Sequence, residues 1–168
     1  MNLLQEYGQE LISKYNLTDK RSMYYYDFEL THDNILRFCE QKLNKKINNY
    51  EIINKEFQDK QSLKYHIDDC QIIKMKIEPL YNKEKYIHIK DNYYLFVNNQ
   101  YNKIPEATFI FYESTYDIDF TGGILVLSDK TNIYPKKNMC ILIDGCEVHK
   151  VTPIINGKRK STILKMYG

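Results

Sequence analysis

Residues 122–167 read GGILVLSDKTNIYPKKNMCILIDGCEVHKVTPIINGKRKSTILKMY, and this stretch decides the fold. Four short apolar runs alternate with turn residues, the pattern of consecutive antiparallel strands. Gly122-Gly123, Pro135 to Asn138 and Gly157 mark the turns. The expected strands are 124–127, 132–134, 139–143, 148–155 and 161–167. One histidine, His149, sits at the edge of an apolar run, and Arg159 follows ten residues later.

Working upstream, the same two-residue period continues. Residues 50–57 read as a strand, 58–62 as a polar turn, and 63–76 as one longer strand that carries His66 and Asp68. Residues 86–89 and 93–97 flank Lys90-Asp91-Asn92, a hairpin signature. Residues 108–112 (TFIFY) have the composition of a buried strand. Before residue 50 the period is helical. Residues 2–15 place Leu3, Tyr7 and Leu11 on one face, and a second helix is expected from Thr31. There Thr31 is a good N-cap, Asp33 and Asn34 fall in the first turn, and Ile35, Phe38, Cys39 and Leu43 form the stripe. Residues 24–30 are short and aromatic, and are expected to be a strand. Helices followed by eight or more short strands predict a mainly β domain with N-terminal helices against a sandwich or barrel. A single domain is expected over 1–168, with 1–49 a helical buttress and 50–168 the β core.

Bulk properties narrow the function. The chain has 168 residues, 43% hydrophobic and 27% charged, which suits one folded domain. No apolar run approaches a membrane span. The N-terminal residues carry Glu6 and Glu10 and lack the apolar core of a signal peptide, so a cytoplasmic location is expected. The four cysteines show no CxxC spacing and read as free thiols. A net charge of +2 gives no strong pull towards nucleic acid or anionic lipid.

The chemistry starts at His66-Ile67-Asp68. On a strand, residues i and i+2 point to one side, roughly 6.6 Å apart, so an imidazole and a carboxylate would stand side by side. With a third ligand from a neighbouring strand they would occupy one face of a metal's coordination sphere. That is the 2-His-1-carboxylate arrangement of non-haem Fe(II) oxygenases. Alone, an HxD triplet fits a surface ion pair equally well. A genuine triad needs a distal histidine on a late strand, and of His88 and His149 only His149 qualifies. It also needs a fixed cation for an oxo-acid co-substrate, and Arg159 lies on the next strand with Ser161 on the same face. Asp69, by the alternation of a strand, would point away from His66 towards solvent or a turn.

Taken together, HID at 66–68, FIFYES at 109–114, FTGGILVL at 120–127, IYPKKNMCILIDG at 133–145 and HKVTPIINGKRKSTILKMY at 149–167 resemble the prolyl 4-hydroxylase-like branch of the 2-oxoglutarate/Fe(II)-dependent dioxygenases. The resemblance spans about residues 50–168. It implies a double-stranded β-helix, a jelly-roll (cupin-like) barrel buttressed by helices. It implies that His66, Asp68 and His149 hold Fe(II), and that Arg159 pairs with the far carboxylate of 2-oxoglutarate, with Tyr112 and Ser161 as further contacts. Phe57 stands where the family often has a tyrosine that touches the co-substrate. The implied reaction consumes dioxygen and 2-oxoglutarate and hydroxylates an unactivated C–H bond. A protein or peptide residue such as proline is the family's default substrate. A free amino acid or small metabolite is the alternative, and a non-catalytic binding module that keeps the fold is a third reading. Nucleic acid is disfavoured, because no arginine follows Arg159. Substrate reading would fall to residues 69–107, with 80–103 a possible lid, and to the strand near Tyr24–Tyr26.

Overall fold

The computed structural model describes residues 21–73, 86–89, 92–96, 99–145 and 147–168, with only the backbone described for 71–73, 86–89 and 92–96. The helix expected over 2–15 and residues 80–85 of the expected lid lie outside them. In chain order the elements are β1 (Ser22–Tyr25), α1 (His32–Leu43), β2 (Tyr50–Gln58), β3 (Leu63–His66), β4 (Cys70–Ile73), β5 (Tyr86–Ile89) and β6 (Asn92–Phe96). Then come β7 (Ala107–Tyr112), β8 (Phe120–Gly122), β9 (Leu125–Leu127), β10 (Asn132–Ile133), β11 (Met139–Asp144), β12 (His149–Val151) and β13 (Ile154–Met166).

The strands form a large sheet in the order β1-β11-β7-β13-β2, with β8 added on β13, and a small sheet in the order β10-β9-β12-β3. A third sheet, β4-β6-β5, is inserted between β3 and β7. Every pairing between these strands is antiparallel. The two main sheets make the expected jelly roll.

Alternation along β7 shows how the layers are built. Ile110 and Tyr112 face the small sheet and pack with Leu125, Leu127 and Ile133, and with Met139, Ile141 and Val151. Ala107, Phe109 and Phe111 face the opposite way, onto Ile35, Phe38 and Cys39 of α1. All six residues of β7 are buried, because both of its faces are covered. The helix begins as predicted. The Thr31 hydroxyl accepts the Asn34 amide at 3.2 Å, and Asn44, at φ 53°, closes the C-terminus in the left-handed region. The segment before residue 50 is more than a helical buttress, since β1 forms the edge of the large sheet beside β11. Among the described residues no helix is long and apolar enough to cross a membrane.

Three strand boundaries differ from the sequence reading. The strand expected over 24–30 runs only from Ser22 to Tyr25. The strand expected over 63–76 breaks after His66. The Cys70 amide donates to the Ile67 carbonyl at 3.0 Å, and Asp69 sits at φ 61°, so residues 67–70 form a tight turn between β3 and β4. Asp tolerates the left-handed region better than most residues, through local hydrogen bonding of its short side chain. Residues 148–155 and 161–167 were expected as strands separated by a turn at Gly157. Instead β12 ends at Val151, and β13 runs unbroken through Gly157 to Met166. The break falls at Pro153, which lacks an N–H and restricts the residue before it. Gly157 sits where β13 passes β8 with a shifted register, at φ 80°, and a Cβ there would fall on the carbonyl of Asp119. It marks an irregular crossing within a strand, as isolated strand glycines often do.

Candidate metal centre and its cavity

The inner faces of the two sheets enclose a cavity of about 400 Å³. On one wall β3 and β12 pair so that His66 stands directly opposite His149, their ring centroids 4.3 Å apart. Asp68 reaches the same spot from the 67–70 turn rather than from a strand, so the i, i+2 argument gave the right neighbour by the wrong geometry. Its Oδ1 lies 3.3 Å from His66 Nε2 and 3.4 Å from His149 Nε2, and one ligand atom from each of the three residues lies within 4.8 Å of the others. Adjacent donors each about 2.1 Å from one cation are about 3 Å apart, so the cluster is spaced to hold a metal ion.

The tautomers favour the same role. His66 Nδ1 is 2.7 Å from the carbonyl of Lys64, and His149 Nδ1 is 2.7 Å from the carbonyl of Glu147. A carbonyl can only accept, so each Nδ1 carries a proton and each Nε2 is turned towards Asp68, where it would meet a shared cation. Glu147 is itself paired with Arg21, which steadies the β11–β12 connection. The second oxygen of Asp68 accepts the Thr108 hydroxyl at 3.0 Å. Burial pushes the Asp68 carboxyl up, but His149, His66 and Lys165 outweigh it and hold it well below the ordinary value. His149 is the converse. Burial lowers its pKa, and the Asp68 carboxylate more than compensates, so the net shift is upward. This close, half-neutralised cluster is costly without a cation to share.

Across the cavity, β13 directs Arg159, Ser161, Ile163 and Lys165 inwards. Arg159 is 2% exposed, and its Nε donates to the Gly123 carbonyl at 2.9 Å. Its guanidinium carbon lies 5.5 Å from the Phe57 ring centre and 5.2 Å from that of Tyr112, so two aromatic faces flank the cation. Burial lowers its pKa while the adjacent Tyr112 hydroxyl works against that shift. Among the described residues no carboxylate pairs with Arg159. A buried cation of this kind calls for an anionic partner. The Ser161 hydroxyl beside it is buried with no hydrogen-bond partner among the described residues. Tyr112 is fully buried and packs on Arg159 rather than lining the cavity. Phe57, which lacks the hydroxyl of the usual tyrosine, still covers the guanidinium.

Gly123 makes the closest backbone approach to this cation. It sits at φ 61°, and a Cβ there would lie 2.9 Å from Arg159 Cδ. Gly123→Ala is therefore expected to displace Arg159 and to destabilise the fold by about 1–3 kcal/mol. Thermal melting, together with the effect on co-substrate affinity described below, checks this.

Five of the six residues expected from the sequence, His66, Asp68, His149, Arg159 and Ser161, line one cavity, and Tyr112 packs behind Arg159. Three contributors were not anticipated. Thr108 hydrogen-bonds the Asp68 carboxylate, Lys165 lines the wall at the far end of β13, and Asp69, in a turn as one of its two expected places, is also tied to Lys165, Tyr167 and Asn99. Only the alternation of β7 and β13 could have placed Thr108 and Lys165 on the inner face. Tyr24 and Tyr26 do not line the cavity. They pack in the cluster beside α1, and the Tyr26 hydroxyl donates to the Tyr112 carbonyl. Side chains of β5 and β6 lie outside the described residues. Cys39 and Cys140 are buried, and Cys146 lies outside the described residues.

No protein-family model matches the chain, and no curated protein does so. Solved structures do match. The viral collagen prolyl hydroxylase of Paramecium bursaria Chlorella virus-1, in complex with 2OG, superposes over 94% of this chain and 87% of its own, at 17% identity and a TM-score of 0.51. This chain shares the prolyl hydroxylase fold. A truncated form of the viral enzyme gives 16% identity, a TM-score of 0.52, and coverage of 94% and 82%. A Pseudomonas putida prolyl-4-hydroxylase gives 12% identity, a TM-score of 0.47, and coverage of 94% and 74%. At these identities the comparison speaks for the architecture, and the chemistry rests on the residues of the cavity.

Proposed function

We propose that the chain is an Fe(II)- and 2-oxoglutarate-dependent dioxygenase that hydroxylates an unactivated C–H bond, with 1–168 acting as one domain. One observation carries this reading. Two imidazoles and a carboxylate with converging ligand atoms face, across one cavity, a buried arginine that has no carboxylate partner among the described residues. Two nitrogens and one oxygen on one face are the donor set of non-haem Fe(II) oxygenases. The guanidinium suits the far carboxylate of a dicarboxylic oxo-acid, because its forked N–H groups match a carboxylate's two oxygens.

When bound, iron and 2-oxoglutarate supply the oxidising power that activates dioxygen. The chain's own residues do the rest. The Lys64 and Glu147 carbonyls hold the two imidazoles in the tautomer that leaves Nε2 free. Thr108 fixes the rotamer of Asp68. Arg159 anchors the co-substrate, and its wall of Phe57 and Tyr112 keeps water from competing for the guanidinium. The unpartnered Ser161 hydroxyl has room to donate to the same anion. For substrate we favour a protein or peptide residue such as proline. The support is the open cavity, lined partly by the exposed Leu63 and half-buried His66, which can admit a side chain carried on a longer chain. A free amino acid is the competing substrate.

The test is turnover of 2-oxoglutarate by the full chain with Fe(II), over a panel of proline-containing peptides and free amino acids. The expected result is iron-dependent succinate release, stimulated by one panel member that gains the mass of one oxygen. Iron-independent turnover, or none with any member, would sink the proposal.

A further inference from the structure

The turn that presents Asp68 is held by a second carboxylate, that of Asp69. Asp69 Oδ1 accepts Lys165 Nζ at 3.0 Å, and Oδ2 accepts the Tyr167 hydroxyl at 2.7 Å and Asn99 Nδ2 at 2.9 Å. The three donors come from separate places. Lys165 lies on β13, the strand that also carries Arg159. Tyr167 follows it with a fully buried ring, and its hydroxyl also contacts Glu51. Asn99 is where the chain returns after the inserted β4-β6-β5 sheet, which departs at Cys70. Asn99 in turn donates to the Lys103 carbonyl and accepts the Tyr101 amide, so the returning segment is itself ordered around this point. Ile67, fully buried with Val148, pins the start of the turn.

We propose that Asp69 is the positioning residue of the metal centre, fixing the Asp68 turn and engaging the Lys165 ammonium so that it does not claim Asp68. This rests on the iron reading above. The geometry supplies two effects. The first is orientation. Asp68 and Asp69 are consecutive and are tied to two residues that face each other across β7 and β13, Thr108 and Lys165, and metal constellations tolerate only about 0.5 Å of error. The second is competition. Lys165 lines the cavity, and it interacts electrostatically with Asp68 as well as Asp69. With Asp69 in place its ammonium has a partner. Without it, Asp68 becomes the available carboxylate, and an ammonium bound there opposes a cation at the same oxygen. Because Asp69 and Asn99 close the two ends of the inserted sheet, the same clamp ties that sheet to the metal ligand.

The test is Mn(II) titration of the chelator-treated full chain by calorimetry, with thermal melting in parallel. Asp69→Gly removes the carboxylate while keeping a residue suited to φ 61°. It is expected to weaken Mn(II) binding about 10-fold or more, the usual cost of losing a partner behind a metal ligand. The double variant Asp69→Gly, Lys165→Met should recover part of that loss, which a merely structural role would not do. If Asp69→Gly does not fold, Asp69→Asn keeps an acceptor and the turn but not the charge, and should still weaken binding. A folded Asp69 variant with wild-type Mn(II) affinity, or a double variant no better than the single, overturns the proposal. His149→Ala is titrated alongside. If it binds Mn(II) like wild type, the metal reading itself has failed. If it loses binding while Asp69→Gly keeps it, only the clamp has failed.

Discussion

Asp68→Ala is expected to abolish succinate release, by at least about three orders of magnitude, while the protein stays folded. The carboxylate is the sole anionic ligand of the three-residue cluster, and its Oδ1 is the atom that both imidazoles face. Removing it leaves two neutral donors and takes away the charge that compensates a divalent cation, so metal affinity and turnover should fall together. The fold should survive, because the 67–70 turn retains the Cys70-to-Ile67 hydrogen bond, the buried Ile67 and the Asp69 contacts. The buried Thr108 hydroxyl loses its carboxylate acceptor, a cost of about 1–3 kcal/mol. Circular dichroism and Mn(II) titration on the same preparation separate lost metal from lost structure. Succinate release by folded Asp68→Ala at the wild-type rate would remove the metal centre from this cavity.

Arg159→Ala should act on the co-substrate instead. A buried guanidinium that pairs with a ligand carboxylate is worth about 2–5 kcal/mol when truncated, so KM for 2-oxoglutarate should rise by about two orders of magnitude, while Mn(II) affinity stays close to wild type. The split between co-substrate and metal is the diagnostic, since a general collapse of the cavity would move both. Arg159→Lys should restore little. An ammonium is a point charge without the fork, and the Phe57 and Tyr112 faces are spaced for a flat group. An unchanged KM would shift the anchor to another cation on the wall, such as Lys55, which pairs opposite Ser161 on β2.

Part of this architecture was legible without coordinates because it depends on local chemistry. The Thr31 cap, the apolar stripe of α1 and the two-residue period of β7 and β11 each follow from neighbouring residues. The placing of His149 and Arg159 in one site came instead from the ten-residue spacing that carried the family resemblance. The strand that follows β12 turns back across the cavity, so residues ten apart face one space from opposite sheets. What failed locally was the placement of breaks. Asp69 and Gly157 both look like punctuation. One makes a turn where a strand was expected, and the other passes through a strand where a turn was expected. The difference lies in what each backbone meets. Asp69 finds three donors from β13, the C-terminus and residue 99, whereas Gly157 passes a carbonyl of residue 119 that leaves no space for a Cβ.

By itself the sequence determined which side chains of β7 and β13 alternate inwards, and its motifs carried the resemblance that implied two histidines, one aspartate and one arginine in a jelly-roll interior. Tertiary structure alone decided that Asp68 comes from a turn, that its neighbour in that turn is clamped, and that Arg159 is buried between two rings with no carboxylate partner among the described residues. The reason is the range of the interactions. Alternation is set by residues two apart, whereas the burial of a charge and the choice of its partner depend on strands that meet only after 40 to 100 residues of intervening chain, as in Thr108 with Asp68 and Lys165 with Asp69.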